Sequence, residues 1–274
     1  MLPILFTIPK FHLGSYTLGP FPIHSYGVML VVAFLAAMWL IKRRSGRYGV
    51  NPEKIVDMGY WGLIAGVLGA RIVYLLQELP YYLKHTNELF SLQFSGLTSF
   101  GGEIFAVVAI IFWARKSKYK IVKILDLAAP GYALGYAIGR VGCFLNGCCY
   151  GGVCSPNLPW GVHFADSRGG PHHPAQLYDA LMNVGVMAIL LTVEKRKLVP
   201  GRISALLLIL HGLARFIYEF WRAGTDEEVR LGLASSTYWG KLPITQAHAM
   251  ALVLIAIGVV WYFIAEKKGG FSRQ

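Results

Sequence analysis

Seven long runs of apolar residues, separated by short polar segments, organise the sequence. A helix needs roughly 20 apolar residues to cross the hydrocarbon core of a bilayer. The runs predict seven membrane-spanning helices, at 25–41, 55–76, 102–114, 124–145, 175–193, 203–222 and 246–265. The third run is the shortest, and the Gly-rich segment SGLTSFGGE before it is also compatible with a re-entrant loop surrounded by protein. The pattern is typical of an all-α polytopic membrane protein with short extracytoplasmic loops.

The composition agrees with a membrane location. Of 274 residues, 55% are hydrophobic and only 15% are charged, whereas a soluble domain carries about 25% charged residues. We therefore expect one integral membrane domain over residues 1–274, with extracytoplasmic segments at 77–101, 147–174 and 223–245. Because Pro3 and Pro9 interrupt the apolar N-terminus and no basic region precedes it, we expect no cleavable signal peptide.

Basic residues predict the orientation of the spans. Of the 26 Lys and Arg residues, 17 flank one side of the predicted bundle and six flank the other. The positive-inside rule then places the N-terminus outside and the C-terminus in the cytoplasm. The net charge of +12 is mostly a topology signal, so we expect no nucleic-acid partner.

The three remaining basic residues, Arg71, Arg140 and Arg215, lie inside predicted spans. Charge at this depth is costly and is usually functional. At 1.5 Å per residue, each lies within about 10 Å of the outer end of its helix. A guanidinium binds phosphate through a planar fork of donors, so the trio favours an anionic lipid head group. Structural ion pairs are the alternative, and Glu219 has the spacing for one with Arg215.

Other polar residues are expected at the same depth, which predicts a cavity for an amphiphile. They are His24 and Tyr26 at the first span, Asn146 at the fourth, and His173 and Gln176 at the fifth. Glycines in GLTSFGGE and GRVGCFLNG allow close approach of the backbone to a ligand or to a neighbouring helix, and the sequence leaves both readings open.

All four cysteines lie within twelve residues, at Cys143, Cys148, Cys149 and Cys154. An oxidising extracytoplasmic location predicts one or two disulfides, with Cys143 or Cys154 bonded to one of the adjacent pair. The adjacent pair lacks the two-residue spacing of common zinc sites, so we expect no metal.

Several segments, in order along the chain, resemble one family. GRVGCFLNGCCYG at 139–151 is similar to the signature of prolipoprotein diacylglyceryl transferases. Further similar segments are GPFPIHSYGVML at 19–30, GARIVYLL at 69–76, SFGG at 99–102, HPAQLYDAL at 173–181 and GLARFIYEFWR at 212–222. The resemblance implies a seven-span enzyme of the bacterial inner membrane, without a cofactor, whose active site faces the outer leaflet. Such an enzyme moves diacylglyceryl from phosphatidylglycerol to the lipobox cysteine thiol of a preprolipoprotein signal peptide and releases glycerol phosphate.

The resemblance also implies roles for individual residues. Arg140 and Arg215 are expected to stabilise the leaving phosphate, with Arg71 as a third candidate, and Glu219 is expected to fix Arg215. The remaining predicted contacts to the lipid are Tyr26, His24, Gly101, Gly102, Asn146 and Gln176.

The chain departs from the family pattern at four positions. Phe100 stands where the family has a histidine, Cys143 where asparagine is usual, Cys148 where an acid is usual and His211 where tyrosine is usual. Because phenylalanine accepts no proton, His173 and His211 become the candidate bases for the acceptor thiol. Two alternatives stay open: a paralogue that passes or modifies phosphatidylglycerol-derived lipid with another acceptor, and an anionic-lipid binding or transport protein without catalysis.

Overall fold

A computed structural model describes residues 2–13, 16–83, 98–165, 167, 169–196, 199–223 and 244–270. Its helices are α1 (Ser25–Arg44), α2 (Pro52–Gln77), α3 (Leu79–Tyr82), α4 (Ser99–Lys116), α5 (Ile121–Asn146), α6 (Ala175–Val193), α7 (Arg202–Ala223) and α8 (Gln246–Gly270). Each predicted span lies on one of these helices, which confirms the helical assignment.

Within the described residues, six helices are long and apolar enough to cross a membrane: α1, α2, α5, α6, α7 and α8. The third predicted span corresponds to α4, which has 18 residues and is not among the six. A multi-pass membrane protein is therefore confirmed, and the seventh span stays a prediction.

Strands precede α1, which corrects the all-α expectation at this end of the chain. They are β1 (Ile4–Ile8), β2 (Phe11–Leu13), β3 (Tyr16–Leu18) and β4 (Phe21–His24). β1 pairs antiparallel with β4, and β2 with β3. Pro9, Pro20 and Pro22 disfavour a helix here because proline lacks the N–H donor. The Ser25 N–H donates to the Pro3 carbonyl at 3.0 Å, which ties the start of α1 to the N-terminal strands.

The chain forms two compact units. The smaller unit spans Ile41–Leu127, and the larger unit combines Met1–Leu40 with Ala128–Gln274. In the larger unit, α5, α6 and α7 share a buried apolar core of Ala129, Ala133, Val186, Leu190, Ile203 and Ala214. Helices α7 and α8 pack closely through two glycines: a Cβ on Gly212 would lie 3.1 Å from the Ala251 carbonyl oxygen, and one on Gly258 would lie 2.9 Å from that of Ala205.

In the smaller unit, α2 and α4 approach through glycines on both helices. A Cβ on Gly101 would lie 2.6 Å from the Val73 Cβ and 2.7 Å from the Gly69 carbonyl oxygen. A Cβ on Gly102 would lie 3.1 Å from the Gly66 carbonyl oxygen. Close helix packing explains why these two positions carry no side chain, and their predicted contact with lipid stays a prediction.

We expect Gly101→Ala to destabilise the protein, because the added methyl would press on both side-chain and backbone atoms of α2. Overpacking of this kind costs about 1–3 kcal/mol, and it should lower the melting temperature measured in detergent. Gly185→Ala on α6 is the control, since a Cβ there meets no described atom within 4 Å. Equal melting temperatures for the two variants would contradict the packing argument.

Candidate functional site

A buried ion pair joins α5 to α6 in the larger unit. The Arg140 Nε lies 2.7 Å from the Asp179 Oδ2, and the Asp179 side chain is completely buried. The Tyr136 hydroxyl donates to the same Asp179 oxygen at 3.0 Å and accepts from the Arg140 Nη2 at 2.5 Å. The Arg140 Nη2 also donates to the Tyr218 hydroxyl on α7 at 3.3 Å. Pairing and hydrogen bonds offset the cost of burying both charges.

His211 is connected to this ion pair through a buried amide. The Asn183 Nδ2 donates to the Asp179 Oδ1 at 2.8 Å, which fixes the orientation of the amide. The His211 Nδ1 lies 2.7 Å from the Asn183 Oδ1. Because the amide oxygen only accepts, the His211 Nδ1 carries the hydrogen and the lone pair of the neutral ring lies on Nε2. The ring also packs edge-on against Tyr136, with centroids 4.7 Å apart.

A second buried carboxylate holds Arg215. The Arg215 Nη1 lies 2.6 Å from the Glu219 Oε2, as the four-residue spacing predicts. The Arg222 Nη1 lies 3.5 Å from the Glu219 Oε1, and the Thr245 Oγ1 donates to that oxygen at 3.2 Å. Thr245 in turn accepts from the His248 N–H and thereby caps the start of α8.

Tyr218 brings the two arginines together. Its ring is completely buried. The Arg140 Cζ lies 5.5 Å from the ring centroid, and the Arg215 Cζ lies 4.5 Å from it. Both cations thus share one aromatic ring, so Arg140 and Arg215 lie close together.

The segment after α5 is held between the start of α6 and the end of α7. The Gly151 N–H donates to the His173 carbonyl at 2.9 Å, and the Gly152 N–H donates to the Trp221 carbonyl at 2.9 Å. Any side chain at 151 would collide here, since a Cβ would lie 2.5 Å from the Trp221 oxygen. Gln176 adds a further tie, because its Nε2 donates to the Cys148 carbonyl at 2.7 Å.

Two groups near this segment have properties of a binding site. The buried Gln176 Oε1 accepts no hydrogen bond from the described residues, so a donor on a ligand would satisfy it. His173 is half-buried, with its Nδ1 3.2 Å from the Tyr178 hydroxyl. That hydroxyl accepts from the Trp160 indole at 2.8 Å.

The other predicted residues have simpler surroundings. Tyr26 on α1 faces Gly142 of α5, where an added Cβ would lie 3.4 Å from its ring. Asn146 is the last residue of α5, and His24 is exposed at the end of β4. Arg71 belongs to the smaller unit and lies over the rings of Tyr74 and Tyr82, at 5.8 and 5.9 Å from their centroids.

The cysteines form a cluster of three. The sulfur atoms of Cys143, Cys148 and Cys149 lie within 4.8 Å of one another, and all four cysteines are free thiols. Hydrogen bonds with Cys143 and Cys148, together with the charges of Arg140 and Arg222, lower the pKa of the Cys149 thiol. The disulfides stay a prediction.

Sequence reasoning missed several residues that contact the arginines or their carboxylates: Tyr136, Asp179, Asn183, Tyr218 and Thr245. A signal for two of them was available, because Asp179 and Asn183 are polar residues four positions apart inside a predicted span. An acid within a span is a candidate functional residue by default. The tyrosines carry no comparable signal in a chain with 15 of them.

Comparison with known proteins decides the family. The family model described as prolipoprotein diacylglyceryl transferase matches residues 14–264. The chain belongs to the prolipoprotein diacylglyceryl transferase family. Among its relatives are proteins named phosphatidylglycerol–prolipoprotein diacylglyceryl transferase from three bacteria, with nearly full-length coverage. The protein of Geobacter sulfurreducens is 30% identical over 92% of this chain and 95% of its own length.

The other two relatives are similar to this chain to about the same extent. The protein of Aeromonas salmonicida is 32% identical over 90% of this chain and 88% of its own length. That of Nitratidesulfovibrio vulgaris is 33% identical over 93% of this chain and 95% of its own length. Arg140 and Arg215 both lie within the region that the family model matches.

Replacement of Asp179 tests how much the ion pair between Arg140 and Asp179 contributes to stability. We expect Asp179→Asn to lower stability by about 3–5 kcal/mol, because it leaves Arg140 without its counter-charge. Asp57→Asn is the matched control: Asp57 pairs with Lys54 at 3.3 Å, and both side chains are about half exposed, so its loss costs less than about 1 kcal/mol. Thermal unfolding in detergent compares the two, and similar melting temperatures would argue against a structural role for the buried pair.

Proposed function

We propose that this protein transfers diacylglyceryl from phosphatidylglycerol to the lipobox cysteine thiol of a preprolipoprotein. In this reaction the thiolate sulfur attacks the glyceryl carbon, a C–S bond forms, and the C–O bond to phosphate breaks. Glycerol phosphate leaves with the electron pair. The observation that carries the proposal is the pair Arg140 and Arg215, which share the ring of Tyr218 while each is held by its own buried carboxylate.

The arginine pair is suited to the leaving group. A phosphodiester carries one negative charge, and the released phosphate monoester carries more negative charge than that. Donors that are fixed before the reaction stabilise charge that develops in the transition state. Within the described residues, Asp179, Tyr136 and Tyr218 contact the Nε and Nη2 of Arg140, so its Nη1 is left for an anion. Gln176 supplies a buried acceptor for a hydroxyl of the head group.

His173 is our preferred base for the acceptor thiol. It is half-buried at the junction of the 147–174 segment with α6, where a peptide thiol has access. His211 is only 8% exposed, and its Nδ1 is committed to Asn183. We assign His211 the role of positioning Asp179 and, through it, Arg140.

We further propose the membrane arrangement predicted from charge: seven spans including α4, the N-terminus outside and the C-terminus in the cytoplasm. The last turn of α1 contains Lys42, Arg43 and Arg44, and the last turn of α4 contains Arg115 and Lys116. Both ends lie on the cytoplasmic side in this arrangement. The site then opens to the outer leaflet of the bacterial inner membrane, where phosphatidylglycerol and the signal peptide meet.

The purified protein in phosphatidylglycerol liposomes, supplied with a synthetic lipobox peptide, tests the activity. We expect the peptide to gain the mass of one diacylglyceryl group while glycerol phosphate is released. Arg140→Lys should reduce the rate about 100-fold or more, since lysine lacks the planar fork. Arg202→Lys is the control, because Arg202 also pairs with an acid, Glu266 at 2.8 Å, and lies 5.0 Å from a tyrosine ring centroid. Bound lipid without either product would reject the transferase and favour lipid binding alone.

Glutamine substitutions separate the two histidines. We expect His173→Gln to reduce turnover by about 100-fold or more, while phosphatidylglycerol binding and the melting temperature stay unchanged. His211→Gln should lower the melting temperature together with turnover, because Asn183 loses its donor. His163→Gln, in the same extracytoplasmic segment as His173, serves as the control. The assignment is wrong if His173→Gln keeps full turnover.

A further inference from the structure

The three clustered thiols converge because α5 ends in a tight reversal. The Gly147 N–H donates to the Phe144 carbonyl and the Cys148 N–H donates to the Cys143 carbonyl, both at 3.1 Å. Gly147 has φ 78°. These features define a Schellman motif, in which the residue after the glycine folds back onto the last helical turn. Cys148 is thereby brought beside Cys143.

Cys149 completes the cluster in an uncommon conformation. Its φ of 62° lies in the left-handed region, which non-glycine residues rarely occupy and which is concentrated at functional sites. The Gln176 amide holds the preceding residue through the Cys148 carbonyl. The backbone around the three sulfurs is therefore held both by the hydrogen bonds at the end of α5 and by the Gln176 side chain.

The geometry favours one cation over one disulfide. A disulfide joins two sulfurs at about 2.05 Å and would leave the third thiol without a partner. A tetrahedral ion at about 2.3 Å from each sulfur holds the sulfurs about 3.8 Å apart, and this spacing falls inside the 4.8 Å within which all three sulfurs lie.

We propose that Cys143, Cys148 and Cys149 form a binding site for one thiophilic d10 cation of the Zn²⁺ class. The expectation of no metal rested on the spacing of the adjacent pair, whereas in the structure a third ligand, Cys143, comes from the last turn of α5. Cys149 is exposed, so an ion has a route to the site.

Three protein ligands leave a fourth position open, as catalytic zinc sites do. A thiol that coordinates there loses its proton outright and becomes a nucleophile. The fourth ligand is then the acceptor cysteine of the lipobox peptide, with its proton passing to His173 or water. This second step rests on the proposed function, whereas the cation site itself does not.

Metal content of the full-length protein tests the site. Purified in detergent under reducing conditions and equilibrated with Zn²⁺, the protein should retain about one Zn²⁺ per chain by mass spectrometry of the metal. Each of Cys143→Ser, Cys148→Ser and Cys149→Ser should weaken Zn²⁺ binding at least tenfold. Cys154→Ser is the control, because Cys154 is a buried cysteine outside the cluster, and it should bind as the unmodified protein does.

X-ray absorption of the Zn²⁺-loaded protein tests the same site without substitutions. We expect three sulfur neighbours at about 2.3 Å, rising to four when the lipobox peptide is added. No zinc–sulfur shell, or a 2 Da mass loss that reductant reverses and Cys143→Ser abolishes, would overturn the proposal in favour of a disulfide. Three sulfurs that stay three with peptide would keep the cation site and reject the acceptor as fourth ligand, whether or not transferase activity is found.

Discussion

The ion pair between the partly buried Arg140 and the completely buried Asp179 is the constraint on which the larger unit depends. A guanidinium in apolar surroundings is tolerated only where a carboxylate and further acceptors reach it. Asp179, Tyr136 and Tyr218 do so from α6, α5 and α7. The contacts of Arg140 therefore fix the positions of α5, α6 and α7 relative to one another. These contacts are directional, because hydrogen bonds require a narrow range of geometry and apolar contacts do not.

Arg215 also needs a counter-charge, but its carboxylate comes from its own helix. Its acid lies one turn away on its own helix, so α7 alone neutralises it, and Thr245 at the start of α8 then contacts the outer edge of that acid. Both arginines are thus held by carboxylates of the protein itself. In the proposed function, donors held in this way avoid the reorganisation that flexible surface lysines would need when a phosphate binds.

The difference between the two pairs also explains what the sequence could predict. The pairing of Glu219 with Arg215 is predictable from their four-residue spacing, because residues four positions apart are neighbours on the surface of a helix. Asp179 is distant in sequence from Arg140, and only the packing of α5 on α6 brings them together. The seven apolar runs predict the helices for the same local reason. The N-terminal strands and the cysteine cluster depend on chain reversals, at prolines and at Gly147, whose consequences reach beyond a local pattern.

The resemblance implies that Phe100 stands at the position of the family's base, so another residue of this chain is needed to take the proton of the acceptor thiol in the proposed function. A replacement base must be accessible to the acceptor thiol, and burial works against that access. His211 has the fixed tautomer, but its position between tyrosine rings makes it a support for the charge network. His173 has access because the glycines at 151 and 152 let the chain pass close to the start of α6. The separate reversal at Gly147, directly after α5, brings Cys148 beside Cys143 and so creates the thiol cluster.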